Sequence, residues 1–275
     1  MTMNLAMVLR FAGLAALAAG PLVSGSALAQ AAVREQVRSL MPFEASAGRD
    51  TAIDEITIPP GGRMPLQGYL EERMYYTLDG RGILSVYDTF PAGDTYVIRP
   101  DLSLFTTPGL KHELFNTGPT PLRMVVFRVK GGVAPQGVPD GVTYWPPVSK
   151  PGVTVNAPAV GSGFWITYVY DEHSNPSVTE GQRLQVRGLR MRRAQKFTVA
   201  ELLVLGENGE TRLNLSSGNG AKYVISGEGH FFQDGKKIPF HAGSVFSTGP
   251  ATIGNTVNTG KNPAVYISIG TTPDQ

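Results

Sequence analysis

The chain carries one pattern twice, with the second copy 147 positions after the first. Tyr76-Thr77-Leu78-Asp79-Gly80-Arg81-Gly82 returns as Tyr223-Val224-Ile225-Ser226-Gly227-Glu228-Gly229. The same offset pairs Gly62 with Gly209 and Leu66 with Leu213 without a gap. Further along, Ala92-Gly93-Asp94 aligns with Ala242-Gly243-Ser244, and Phe115-Asn116-Thr117-Gly118 with Val257-Asn258-Thr259-Gly260. A repeat of this length is a duplicated domain rather than a solenoid unit, so each copy must close its own core before the two can pack.

Within each copy, short Val, Ile, Tyr, Phe and Thr runs are punctuated by turn residues. With 33 Gly and 21 Pro in 275 residues, long helices are excluded and an all-β sandwich or barrel is predicted. Only Gln30 to Leu40 reads as helical, with Ala31, Ala32, Val33, Val37 and Leu40 near helical spacing. The expected organisation is a leading helix or arm over 30–45, a first barrel over 46–132, a Pro-rich connector over 133–161 and a second barrel over 162–275.

Residues 1–29 precede these units. Arg10, an apolar run from Phe11 to Val23 and the closing Ala27-Leu28-Ala29 have the order of a secretory signal peptide cleaved after Ala29. Gly13, Gly20 and Pro21 interrupt the run, which is too short for a membrane span. Export to the periplasm or the extracellular space is expected. No cysteine is present, which excludes disulfides, thiol nucleophiles and thiolate metal sites. Lys plus Arg number 24 against 22 Asp plus Glu, a balance that gives no case for nucleic-acid binding.

One stretch carries a more specific signature: Pro108-Gly109-Leu110-Lys111-His112-Glu113-Leu114-Phe115-Asn116. Together with Tyr76 to Gly82 it resembles the motifs of the cupin superfamily, and the duplicated chain resembles a two-domain bicupin. The resemblance implies double-stranded β-helix, jelly-roll barrels. In metal-binding members three His and one Glu hold the ion inside the barrel. Counted back from Gly80, those positions are Gln67, Tyr69 and Arg73, with His112 as the fourth; in the second copy they are Asn214, Ser216, Gly220 and Gly254. A guanidinium where the family has a carboxylate repels a cation at any pH. No tightly bound metal or other cofactor is therefore expected, and a weakly held divalent ion at His112 is the most these donors allow.

The first barrel is expected to hold the site. Gln67 and Arg73, with Phe105 and Asn116 at its edges, are the candidate ligand-binding residues, suited to a carboxylate or sugar-like metabolite. His112 with Tyr69 or Tyr75 is the candidate acid/base couple of a metal-independent isomerase, epimerase or lyase. A ligand-less structural protein and a metal-dependent decarboxylase or dioxygenase are the remaining readings. Arg73 pairing with Glu71, Glu72 or Glu113 would favour the structural one. Extra residues near Asp101 to Pro108 read as a lid over the barrel mouth or as an interface loop. The second copy, with small neutral residues at its former ligand positions, reads as structural, and barrel packing is the expected route to any homo-oligomer. Asp171-Glu172-His173 reads as an exposed turn, His230 and His241 as solvated, and the Arg187, Arg190, Arg192 and Arg193 cluster as an exposed strand face or a subunit seam rather than a polyanion site.

Overall fold

The structure, a computed structural model, describes residues 34–87, 94–106, 108–130, 143–145, 164–168, 177–179, 184–188, 196–216 and 218–271. The signal peptide, Asp171-Glu172-His173 and Arg190 to Arg193 lie outside these residues. Among them the chain is β throughout, apart from one turn of 3-10 helix at Phe43–Ala45. Each copy builds two facing sheets, as expected of jelly-roll barrels.

In the first copy a six-stranded sheet runs Gln36–Met41, Thr51–Ile58, Leu122–Val129, Glu72–Asp79, Leu102–Thr106, Phe164–Tyr168. Its partner sheet runs Thr143–Trp145, Arg63–Tyr69, Lys111–Asn116, Gly82–Tyr87, Asp94–Ile98. The second copy repeats the plan. One sheet runs Ser177–Thr179, Leu184–Gly188, Phe197–Leu205, Ala264–Thr271, Asn219–Ser226, Val245–Thr248. The other runs Asn214–Leu215, Ile253–Asn258, Gly229–Gln233, Lys236–Phe240. Two strands cross the expected domain limits: Thr143–Trp145 pairs with Arg63–Tyr69, and Phe164–Tyr168 pairs with Leu102–Thr106.

Alternation along the central strands divides the interior into compartments. On Glu72–Asp79, Met74 and Tyr76 enter a core shared by the two six-stranded sheets, while Tyr75 packs inside the first barrel. On Asn219–Ser226, Ala221 and Tyr223 join the shared core. There Phe105 meets Phe197 edge to face, with ring centroids 5.6 Å apart. Buried acids on the first copy tie this seam with hydrogen bonds. Glu72 Oε2 accepts the backbone N–H groups of Lys196 and Phe197 at 3.0 and 3.2 Å, and Asp50 Oδ2 accepts Asn219 Nδ2 and Thr271 Oγ1, each at 3.0 Å.

The expected leading helix is a strand where the structure describes it. Gln36–Met41 pairs antiparallel with Thr51–Ile58, and Pro42 follows, which bars a helix from continuing. The helical spacing was weak, and an unpaired sheet edge supplied ladder hydrogen bonds that an isolated short helix lacks.

The lid reading is also corrected. Asp101 N–H donates to Thr77 O at 3.0 Å, as Gly243 N–H donates to Val224 O at 2.8 Å, and both residues have positive φ, 64° and 86°. Asp101, not Gly93, is thus the counterpart of Gly243. From these points Asn116 and Asn258 each lie fifteen positions on. The extra residues therefore fall between Gly82–Tyr87 and Asp94–Ile98, where the second copy needs only Asp234-Gly235. Leu102–Thr106 is an inner strand of the sheet, flanked by Glu72–Asp79 and Phe164–Tyr168.

Asn116 likewise belongs to the scaffold rather than to a ligand site. Its Nδ2 donates to Ile58 O and Thr120 O at 2.7 and 2.8 Å, and its Oδ1 accepts Gly118 N–H at 2.9 Å. Asn258 repeats the clamp, with Nδ2 on Leu205 O, Gly206 O and Asn262 O and with Oδ1 accepting Gly260 N–H.

Because Phe105 is buried between the sheets, Phe105→Ala should cost about 3 kcal/mol of stability in urea unfolding. A loss below about 1 kcal/mol would mean that the seam collapses around the deletion and that Phe105 does not anchor it.

Candidate functional site

The first barrel brings four of its predicted residues together. Tyr69, Arg73, Tyr75 and His112 are all buried. The Tyr75 hydroxyl lies 2.9 Å from His112 Nε2, and His112 Nδ1 lies 3.0 Å from Leu110 O. A carbonyl only accepts, so Nδ1 carries the proton, leaving Nε2 to accept from Tyr75. The imidazole is neutral near pH 7 because burial opposes its protonation. Burial pushes it down to about 4, and the Arg73 charge adds to that, against the opposing Leu110 hydrogen bond. Burial pushes the Tyr75 phenol up from its ordinary value, with partial relief from Arg73.

Arg73 lies over the Tyr69 ring, 3.2 Å from the centroid, and its Nη2 meets Glu71 Oε2 at 2.8 Å. Glu71 Oε1 lies 3.3 Å from Arg128 Nη1, and Arg128 Nε lies 2.8 Å from Asp54 Oδ2. Acid and base alternate through this chain, so each buried charge has an opposite neighbour. Gln67 is half-buried and sits opposite His112 in the strand ladder. Phe105 belongs to the other face of the sheet and takes no part in the barrel interior. The residues expected to hold a ligand therefore hold one another. The His112–Tyr75 distance suits proton transfer, and both side chains are buried, His112 1% exposed and Tyr75 0%.

The second barrel has the same frame and a different filling. Matched ladder positions set Gly220 against Arg73, Gly270 against Arg128, Gly254 against His112 and Ser268 against Val126. Ser216 stands 147 positions after Tyr69. Removing these bulky side chains leaves a cavity of about 1090 Å³, whose lining includes Thr198, Asn214, Ser216, Lys222, Thr248 and Ser268. The expected site was the first barrel; among the described residues this cavity lies in the second.

Four charged side chains line this cavity: Glu210 and Arg212 are exposed, while Glu201 and Lys222 stand in one row. Glu201 pairs with Ser268 and Ser268 with Lys222 across adjacent strands, which places the acid and the amine on either side of the serine. They are the counterparts of Asp54 and Tyr75. The cation that meets Asp54 has no equivalent here, since Gly270 occupies the position of Arg128. Among the described residues neither Glu201 nor Lys222 forms an ion pair. Lys222 Nζ instead lies 4.0 Å from the Phe231 ring centroid and 5.6 Å from that of Tyr266. Burial pushes the Lys222 amine down to about 8 and the Glu201 carboxyl up from its ordinary value. Sequence reasoning passed over both residues because it compared the copies only at metal positions. The signal was present: Lys222 falls 147 positions after Tyr75, a residue already singled out.

At the inferred ligand positions, the donors of neither barrel make up a transition-metal set. The inferred ligand positions present one imidazole among Gln67, Tyr69 and Arg73, and both ring nitrogens of that imidazole are already hydrogen-bonded. In the second barrel the same positions hold Asn214, Ser216, Gly220 and Gly254. No group of three or more His, Asp or Glu gathers among the described residues. His230 is half-buried and His241 exposed, on separate strands and turns.

Comparison with known proteins agrees with the fold. Residues 54–128 match the family model of the cupin domain. Among solved structures the chain is similar to the W96Y form of Bacillus subtilis oxalate decarboxylase, with a TM-score of 0.67 and 14% identity over 88% of this chain and 74% of that one. A deletion mutant of the same enzyme matches with a TM-score of 0.67 and 16% identity over the same shares. A third similar structure is described by the Mn(II) centers of that decarboxylase, at 15% identity, a TM-score of 0.66 and coverage of 89% and 74%. These identities establish the shared fold. No curated protein matches the sequence.

The buried imidazole predicts a specific pH dependence. Unfolded, His112 takes up a proton near pH 6.5; folded, it stays neutral until about pH 4. The unfolded chain thus binds more protons in that window, and stability falls as pH falls through it, by about 3 kcal/mol in all. The His112→Gln variant should lose that part of the slope in urea titrations. A His112 imidazole titrating near 6.5 by NMR would contradict the buried neutral tautomer.

Proposed function

Starting from a chain that belongs to the cupin superfamily and has the two-barrel architecture, we propose that its second barrel binds a small hydroxylated, sugar-like metabolite. The observation that carries this reading is the cavity itself. It holds Lys222 and Glu201 without ion-pair partners among the described residues, on a lining that also carries Thr, Ser and Asn side chains, the exposed Glu210 and Arg212, and apolar residues such as Leu203 and Phe231. Neutral donors and acceptors beside apolar walls match a polyol or sugar, and the inner pair, Lys222 and Glu201, fixes its orientation. The first barrel, filled by its own Tyr69, Arg73, Tyr75 and His112, serves as the rigid partner.

The expected signal peptide would place this binding outside the cytoplasm, where a soluble sugar-like ligand is reached directly. The oxalate decarboxylases share the fold with this chain. Their chemistry is not carried over, because the inferred ligand positions of the first barrel set one imidazole beside a guanidinium.

Calorimetric titration with a panel of monosaccharides and sugar acids tests the proposal. Ser268→Leu, which refills the cavity from the position matching Val126, should abolish binding while leaving the urea midpoint near that of the parent. Lys222→Met should weaken binding about tenfold to a hundredfold, the effect of losing one charged hydrogen-bond partner. Binding that survives both changes would place the ligand elsewhere.

A further inference from the structure

The first barrel shows how this fold handles a buried cation. Arg73 and Arg128 are each met by carboxylate oxygens within 3.3 Å, and their acids are met in turn. Lys222 breaks the pattern. It occupies the row of Tyr75, faces a cavity of about 1090 Å³, and has aromatic rings where a carboxylate would neutralise it. Gly220 and Ser268, its neighbours on the lining, are small and leave room for a ligand beside it. Ring faces stabilise an ammonium weakly compared with an ion pair, so the neutral amine is favoured more than in solvent.

Resting on the binding reading above, we propose that Lys222 is a nucleophile that forms an imine with the carbonyl group of an aldehyde or ketone in this cavity, the open-chain form of a sugar-like ligand. The Nζ lone pair forms a C–N bond to the carbonyl carbon as the C=O π bond breaks; the nitrogen releases a proton and the carbonyl oxygen takes one up, giving a carbinolamine, and the nitrogen's second proton leaves when the imine forms. The nitrogen then expels that hydroxyl, protonated, as water while the C=N bond forms. One water is lost, and no oxidant or reductant is needed. Glu201, on the far side of Ser268 in the same row, is placed to supply the proton, since its own carboxyl is held toward the neutral form by burial. The Ser268 hydroxyl lies between them, where it can hydrogen-bond the carbinolamine. The amine value of about 8 leaves a usable neutral fraction near neutral pH, against almost none for a solvated lysine.

The test uses the full chain with dihydroxyacetone as the probe and sodium cyanoborohydride as the trap, followed by peptide mapping. Reduction of the imine raises the mass of one peptide by the probe less one oxygen atom. The expected result is labelling at Lys222 at least about tenfold faster than at any other lysine at pH 8, as the higher neutral fraction requires. Lys222→Met should lose this label, and Glu201→Gln should slow it while Lys222→Met with Glu201 intact stays unlabelled. Label spread over surface lysines with Lys222 unmodified would overturn the proposal. Glycerol, which has no carbonyl, separates the two claims. If glycerol and dihydroxyacetone both protect the cavity in NMR titrations but no label forms, the imine fails and the binding reading stands. If neither perturbs the cavity resonances and no label forms, both fail.

Discussion

The central strands of both six-stranded sheets are buried on two faces, and the rest of the architecture follows from that. Residues of one parity on Glu72–Asp79 and Asn219–Ser226 enter the core between the sheets; those of the other parity enter a barrel. A one-residue slip would drive Arg73 into the apolar seam beside Phe105 and Phe197 and eject Met74 into the barrel. Register is therefore specified twice over. The seam tolerates Glu72 and Asp50 only because each finds donors on the other copy, chiefly the backbone N–H groups of Lys196 and Phe197 and the side chains of Asn219 and Thr271.

Within this frame the two barrels have taken opposite courses. The first is closed by a chain of buried charges from Asp54 through Arg128 and Glu71 to Arg73, and then by the stacked Tyr69 and the Tyr75–His112 bond. Such a network adds little stability over an apolar filling, but removing one member strands its neighbours in a low-dielectric interior. Its members are thus held together as a set. In the second barrel most of that set is gone: glycines stand where both arginines and the histidine would be. What remains is Glu201, Ser268 and Lys222 around open space. A duplicated domain can empty one copy in this way because the other, with the shared seam, still supplies the packing.

Much of the fold was legible from short-range pattern. The Tyr-x-x-x-Gly-x-Gly words, the Asn-Thr-Gly turns and the 147-residue offset reported two β barrels, since these are local turn requirements that repeat wherever the same hairpin is built. Gln36–Met41 was misread because its neighbour on the sheet, Thr51–Ile58, overrode a weak helical spacing. The Ala-Gly-Asp match at Ala92 was coincidental: the turn equivalent to Gly243 is made by Asp101, which adopts positive φ without being a glycine.

The candidate site divides along the same line. From sequence alone came the duplicated all-β fold and the inward position of Tyr69, Arg73, Tyr75 and His112, because alternation and motif spacing are local properties. Whether those side chains face a ligand or one another was decided only by tertiary structure. Arg73 finds Glu71, Glu71 finds Arg128, and His112 finds Tyr75 and Leu110 through contacts across strands distant in sequence. The same holds for Lys222, whose lack of a carboxylate partner among the described residues depends on Gly220, Gly254, Ser268 and Gly270 meeting around it. The space inside a barrel is set by the summed size and charge of residues on several strands, and a linear sequence displays each of them apart.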